Sequence, residues 1–169
     1  PEQLTDILYR YGEEKWSARI VQFILDARFQ HDITTTGELV EIIKRAIPRG
    51  AREKDQHPAK RTFQALRIAV NNELGALERG LEAAIHLLRP GGVLAVITFH
   101  SLEDRIVKER FRLHSRDCIC PPGLPVCQCN HRADVQLINR KPITASLEEL
   151  AANPRSRSAN LRAVRKLSI

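Results

Sequence analysis

The sequence LRPGGVLAVITFHSLEDRIVK, residues 88–108, decides the fold class. A helical pattern ends at Pro90-Gly91-Gly92, and the apolar run Val93–Phe99 then shows no polar alternation, as in a strand covered on both faces. Ser101 and Asp104 follow with the spacing of a helix cap. Helix, turn, strand and helix in this order form one unit of a doubly wound α/β domain.

The flanking sequence predicts one long helix before this strand and two strands after it. Between Pro58 and Leu88, apolar residues recur every three or four positions: Phe63, Leu66, Val70, Leu74, Leu77, Leu81, Ile85 and Leu88. Downstream, strands are predicted at residues 135–138 and 161–164, with a short helix capped by Ser146 and Glu149 between them. Three strands are fewer than the five or so of a typical sheet. Either the remaining strands lie outside this chain, or the strand count is low.

The residues before the long helix predict a small helical subdomain. Apolar residues fall at helical spacing in three segments, and the third segment begins at Thr35, which has capping-box spacing with Glu38. Pro48 and Gly50 end that segment.

Composition favours a folded protein that binds nucleic acid. Hydrophobic residues make up 43% of the 169 residues and charged residues 28%, which excludes a disordered or collagen-like chain. The longest apolar run is far shorter than the roughly 18 residues of a membrane span, so we expect a cytoplasmic protein. The net charge of +7 favours nucleic acid as a partner. Basic residues are concentrated between Lys44 and Arg67 and again after Asn153, where no acidic residue occurs.

The end of the predicted strand is the first candidate site. Ligands of open α/β sheets bind beyond the carboxyl ends of strands, where the next helix points its N-terminal amides. This position carries four candidate catalytic residues: His100, Ser101, Glu103 and Asp104. The alternative is that Ser101 and Asp104 only cap the helix and that His100 is a surface residue.

Two basic segments are candidate RNA contacts. Lys60, Gln64, Arg67 and Asn71 share one face of the predicted long helix, beside its apolar stripe. Three arginines follow near the end of the chain: Arg155, Arg157 and Arg162. Such residues supply donors for phosphate oxygens, although a solvated helix face and a solvated tail explain the same patterns.

Four cysteines form a candidate metal site. Cys118-x-Cys120 and Cys127-x-Cys129 lie within twelve residues, so four thiolates on one tight turn could hold a structural zinc. Structural zinc sites more often have two residues between paired ligands, and His114 and His131 are competing ligands. Free thiols and disulfides therefore stay open as alternatives.

Two patterns are absent from the sequence. None of the eight glycines forms a Gly-x-Gly pair, so the turn that cradles a phosphate or cofactor in such domains is missing. Nor is a Ser-His-Asp or Cys-His catalytic set legible.

Three segments resemble one family closely: HPAKRTFQALRIAVNNEL (57–74), LRPGGVLAVITFHSLEDRIVK (88–108) and NPRSRSANLRAVRK (153–166). They are similar to the bacterial 16S ribosomal RNA cytosine-N4 methyltransferases, the RsmH or MraW family. The resemblance implies an incomplete class I (Rossmann-like), S-adenosylmethionine-dependent α/β fold with an inserted helical domain. Residues 1–57 would be the later part of that helical substrate-recognition domain, and residues 58–169 the second half of the methyltransferase domain.

The resemblance also implies the reaction, methyl transfer from S-adenosylmethionine to the N4 amino group of a cytidine in 16S ribosomal RNA. The cofactor loop would lie upstream, so no cofactor-binding residue is assigned in this chain, which alone would be inactive. Its expected part is to hold RNA, in the free 16S form or in the small ribosomal subunit. The expected contacts are Lys60, Arg61, Gln64, Arg67, Asn71, Arg105, Arg155, Arg157 and Arg162.

Other functions remain open from the sequence. The chain could be a non-catalytic ribosomal-RNA-binding or assembly module, or a zinc-stabilised nucleic-acid binder built around the four cysteines. If the first strands of the sheet lie elsewhere, a large apolar surface would be exposed, which favours aggregation or a homodimer.

Overall fold

A computed structural model describes residues 1–52, 57–122, 124 and 126–168. They form two compact units, Pro1–Glu73 and Leu74–Ile169. None of the described helices combines the length and apolarity that crossing a membrane requires.

The first unit is helical, as the sequence predicts. It contains α1 (Glu2–Gly12), α2 (Ser17–Gln30), α3 (Thr36–Ala46), a 3-10 turn (Arg49–Ala51) and α4 (Lys60–Asn71). The predicted cap of α3 is confirmed, because Thr35 Oγ1 accepts a hydrogen bond from the Glu38 N–H at 3.2 Å. The core is built from fully buried residues of all four helices, including Leu8, Ile20, Ile43 and Ala65.

Helices α1 and α4 approach each other at Gly12. A Cβ atom at Gly12 would lie 2.9 Å from the Arg61 carbonyl oxygen, so this contact has no room for a side chain. Polar contacts flank it: Gln64 Nε2 donates to the Tyr11 carbonyl at 3.1 Å, and Arg61 Nη1 donates to the Glu13 carbonyl at 3.2 Å. Helix α4 therefore packs as part of the first unit. The boundary predicted at residue 57, between the helical substrate-recognition domain and the methyltransferase domain, stays a prediction.

The prediction of a single helix from Pro58 to Leu88 is wrong. The segment forms two helices, α4 and α5 (Glu73–Leu87), which are separated by Asn72 in the left-handed conformation with φ 48° and ψ 45°. Asparagine tolerates this conformation better than most residues. Because a break of one residue leaves the apolar spacing nearly intact, periodicity could not reveal it. Val70, a member of the predicted stripe, is 83% exposed.

The second unit is α5 followed by a sheet with two more helices. Its further elements are β1 (Val93–Thr98), α6 (Ser101–His114), β2 (Val135–Leu137), β3 (Ile143–Thr144), α7 (Leu147–Ala152) and β4 (Asn160–Lys166). The three predicted strands are confirmed as β1, β2 and β4, β3 is an addition, and the predicted α7 cap by Ser146 is confirmed. The mixed α/β class predicted from the sequence is therefore confirmed.

Strand β4 is the central strand of the sheet. The order is β1-β4-β2, with β3 also pairing with β4, and all described pairings are antiparallel. The β1–β4 register runs from Val93 opposite Arg165 to Thr98 opposite Asn160. Val164 of β4 packs into a core with Ile85, Val107, Phe111 and Val135.

The prediction that β1 is covered on both faces is wrong for this chain. Leu94 and Val96 pack on the core, whereas Val93 is 49% exposed and Ile97 55% exposed. An apolar run indicates which faces of a strand are buried in the complete protein. Among the described residues, nothing covers the outward face of β1.

We predict that Gly12→Ala destabilises the protein by about 1–3 kcal/mol, as overpacking does. The added Cβ would meet a backbone oxygen of α4, which cannot rotate away. Gly37→Ala is the matched control, because nothing lies within 4 Å of a Cβ there and alanine is favoured in α3. Urea unfolding of the complete protein measures the free energy of unfolding of the wild type and of both variants. Equal effects would contradict the close approach of α1 and α4.

Candidate functional site

The end of β1 is closed by a capping box. His100 Nδ1 accepts a hydrogen bond from the Glu103 N–H at 3.3 Å, and the Glu103 carboxylate accepts from the N–H groups of Phe99 at 2.8 Å and His100 at 3.3 Å. The cap is thus His100 with Glu103, and the predicted Ser101–Asp104 cap is wrong by one residue. Both pairs have the same spacing, so the sequence could not distinguish them.

This cap determines what the strand end can bind. The Glu103 carboxylate occupies the amides of Phe99 and His100, the two residues that connect β1 to α6. The His100 side chain is only 11% exposed, and its Nε2 lies 3.3 Å from Glu103 Oε1 without making a hydrogen bond to any described residue. The cap therefore places a carboxylate at the strand end, and these two amides are not available to an anion.

Asp104 and Arg162 form a bidentate ion pair between α6 and β4. Arg162 Nε and Nη2 donate to the two Asp104 carboxylate oxygens at 2.7 and 2.8 Å. The hydrogen bonds from Arg162 hold the pKa of Asp104 below its ordinary value. The Arg162 side chain is 8% exposed, so the structure directs this candidate RNA contact inward, to Asp104.

The candidate RNA residues on α4 share one helix, but most also make contacts within the chain. Gln64 and Arg61 donate to carbonyl oxygens at the C-terminal end of α1, and Arg67 Nε and Asn71 Nδ2 both donate to Glu73 Oε1, at 2.8 and 3.3 Å. Lys60 is exposed at the start of the helix.

A cavity of about 320 Å³ in the first unit brings cationic and aromatic groups together. Its lining includes Lys15, Trp16, Arg52, His57 and Arg61. Apart from Arg61, these residues are not among the candidates that the sequence predicts. They lie up to 46 positions apart, and only the packing of the helices brings them together. A tryptophan next to three cations is the combination that stacks a base and contacts its phosphate.

The remaining candidate RNA residues lie in the second unit. Arg155 and Arg157 are exposed on a short 3-10 helix (Pro154–Ser158), which is fixed by the buried Ser156. Arg105 is exposed on α6. Lys54, one of the basic residues between Lys44 and Arg67, lies outside the described residues.

The four cysteines converge in the loop between α6 and β2. Their sulfur atoms all lie within 4.8 Å of one another, and none is in a disulfide. Backbone N–H groups of Ile119 and His131 donate to the Cys129 sulfur and lower the pKa of that thiol to about 6. At Cys118 the Cys120 N–H acts in the same direction, but hydrogen bonds with the thiols of Cys127 and Cys120 outweigh it and raise the pKa to about 12. The cluster therefore favours at least one thiolate near neutral pH.

The two competing histidine ligands are engaged elsewhere. His114 places Nδ1 2.8 Å from Asp134 Oδ1 and Nε2 3.1 Å from Glu82 Oε2. His131 Nδ1 lies 2.8 Å from the Arg116 carbonyl oxygen. Cysteine sulfur is thus the donor type of this cluster.

Comparison with known families identifies the chain. A sequence model described as the MraW methylase family matches residues 1–167. The chain belongs to the MraW methylase family. This confirms the resemblance found in the three quoted segments, and the mixed architecture with its antiparallel sheet is that of a partial class I methyltransferase fold.

Similar family members are named ribosomal RNA small subunit methyltransferase H. That of Symbiobacterium thermophilum is 62% identical over 166 residues, which cover 98% of this chain and 52% of the relative. The proteins of Heliobacterium modesticaldum and Clostridioides difficile are 58% and 53% identical, each covering 98% of this chain and 53% of the relative. The chain therefore spans about half the length of the curated relatives it matches.

We predict that Asp104→Asn destabilises the protein by about 3 kcal/mol at neutral pH, because it leaves the buried Arg162 charge uncompensated. The pKa of Asp104 is lower in the folded state, so the pair stabilises above the unfolded pKa of about 3.9. The difference between wild type and variant should therefore persist down to about pH 4 and shrink as the pH falls through the lowered pKa.

Urea unfolding from pH 7 to pH 2 measures this difference. Glu109→Gln is the control, since Glu109 is an exposed carboxylate on the same helix. A destabilisation that stayed constant across the range would show that the ion pair is not its cause.

Proposed function

We propose that this chain is the substrate-facing half of an enzyme that transfers a methyl group from S-adenosylmethionine to the N4 amino group of a cytidine in 16S ribosomal RNA. The proposal is supported by the match of residues 1–167 to the family model, together with relatives named as small-subunit ribosomal RNA methyltransferases. The substrate is the free RNA or the small ribosomal subunit, which places the activity in the cytoplasm.

The residues of this chain do not fit a site for S-adenosylmethionine. The sequence has no Gly-x-Gly turn to cradle the cofactor, and the Glu103 carboxylate occupies the Phe99 and His100 amides that follow β1. We therefore assign cofactor binding to residues outside this chain and derive no step of the transfer from the residues described.

RNA holding is the role that the basic groups support. The cavity of the first unit offers Trp16 for stacking beside Lys15 and Arg61. Lys60, Arg155 and Arg157 are exposed cations suited to phosphate oxygens. Arg162 leaves this proposed set, because it is buried against Asp104.

The target base must leave its stack for its exocyclic amine to be reached, and its edge must then be held by hydrogen bonds. The amine lone pair is delocalised into the ring, so the enzyme must orient it and accept a proton. Of the four candidates at the strand end, Glu103 and Asp104 are engaged in the cap and the ion pair, and we assign these two a positioning role. His100 caps α6 through Nδ1, but its Nε2 has no hydrogen bond to a described residue, so His100 and Ser101 remain as proposed substrate contacts.

A non-catalytic RNA-binding or assembly module is the second candidate. It is favoured by the closed strand end, since such a module needs basic surfaces and no cofactor site. A homodimer, which a large exposed apolar surface would favour, also stays a proposal.

The reaction is tested by incubating the complete protein with S-adenosylmethionine and small ribosomal subunits, then digesting the RNA to nucleosides for mass spectrometry. We expect N4-methylcytidine as the product. A methyl group on carbon 5 or on another base would overturn the proposed specificity. Binding without any methylation would support the RNA-binding module instead.

The phosphate contacts are tested by Arg157→Ala in the complete protein. We expect weaker RNA binding and a slope of log affinity against log salt that is shallower by about 0.7, the value for one lost phosphate contact with a single strand. Arg79→Ala is the matched control, an exposed arginine of α5 outside the proposed set. An unchanged affinity and slope for Arg157→Ala would remove this residue from the interface.

A further inference from the structure

We propose that Cys118, Cys120, Cys127 and Cys129 bind one structural zinc ion through four thiolates. This site is independent of the RNA substrate and of the methyl donor.

The four sulfur atoms are close enough to share one tetrahedral ion, because all lie within 4.8 Å of one another. The separations are 4.0 Å between Cys120 and Cys127, 3.5 Å between Cys127 and Cys129, and 3.8 Å between Cys129 and Cys118. Zinc–sulfur bonds of about 2.3 Å in tetrahedral geometry require sulfur separations of about 3.8 Å. The cluster therefore encloses a space that fits a single ion and is too small for a multi-iron cluster.

The backbone around the sulfurs is arranged as it is around a bound thiolate. The N–H groups of Ile119, Cys120 and Gln128 point at the sulfurs of Cys129, Cys118 and Cys120, each at 3.4 Å. Such donors stabilise negative charge on sulfur and orient the ligands. Four neutral thiols would gain little from three N–H donors.

The base of the loop is held independently of the cysteines. The Asp134 N–H donates to the His114 carbonyl at 3.0 Å, and the Asp134 carboxylate contacts both the His114 ring at 2.8 Å and Lys166 Nζ at 2.9 Å. Ala133 N–H donates to Asp117 Oδ1 at 3.3 Å. The cysteines lie beyond this closed base, where described apolar residues such as Ile119 and Val126 are exposed and supply no core. A metal is thus the cross-link available to fix the tip of the loop.

The metal content of the complete protein is the test, with the protein purified under reducing conditions and without a metal-chelating tag. Elemental mass spectrometry should find about one zinc per chain. Cys118→Ser and Cys129→Ser should each reduce it to near zero. His131→Ala should retain it, because that ring faces the Arg116 carbonyl and not the sulfurs.

Because a cysteine variant can fail to fold, the wild-type protein provides a second measurement. Cobalt exchanged for zinc should give the intense visible bands of a tetrahedral tetrathiolate site, and the four thiols should resist a thiol reagent until a chelator is added. A protein without metal whose four thiols react at once, or whose mass shows disulfides, would overturn the proposal. So would one iron per chain in place of zinc.

Discussion

The antiparallel pairing of β4 with three neighbours is the constraint on which the second unit depends. Strand β4 lies between β1 and β2, it also pairs with β3, and its Val164 is fully buried in the core. Arg162, opposite Val96 in the register, reaches Asp104 and so fixes α6 to the sheet. The last strand of the chain thereby sets the position of the helix that follows the first strand, and with it the geometry of the strand end.

Much of the fold could be predicted from local sequence signals. The caps at Thr35 and Ser146 and the three main strands follow from spacing and apolar runs, because these features are decided within a few residues. The break at Asn72 could not be predicted, since one left-handed residue barely disturbs a 3.6-residue period. The two-residue strand β3 is equally hidden, because its existence depends on pairing with β4 rather than on its own composition.

The site residues also divide into those that local sequence signals indicate and those that only contacts between distant segments reveal. Sequence spacing indicated the four cysteines and the strand-end residues, but it could not show that Arg162 faces Asp104 or that Glu103 binds the amides before α6. Nor could sequence spacing predict the cavity around Trp16, because the residues that line it come from distant segments of the chain. These contacts shape the proposal: exposed cations are available to hold RNA, whereas the strand end presents a carboxylate.

We propose that this chain carries substrate-facing surfaces and that residues outside it hold the methyl donor. Calorimetric titration of S-adenosylmethionine into this 169-residue chain and into the complete protein tests it most directly, with cooperative urea unfolding establishing that each sample is folded. We expect heat of binding for the complete protein alone. Binding by the folded 169-residue chain with similar affinity would contradict it.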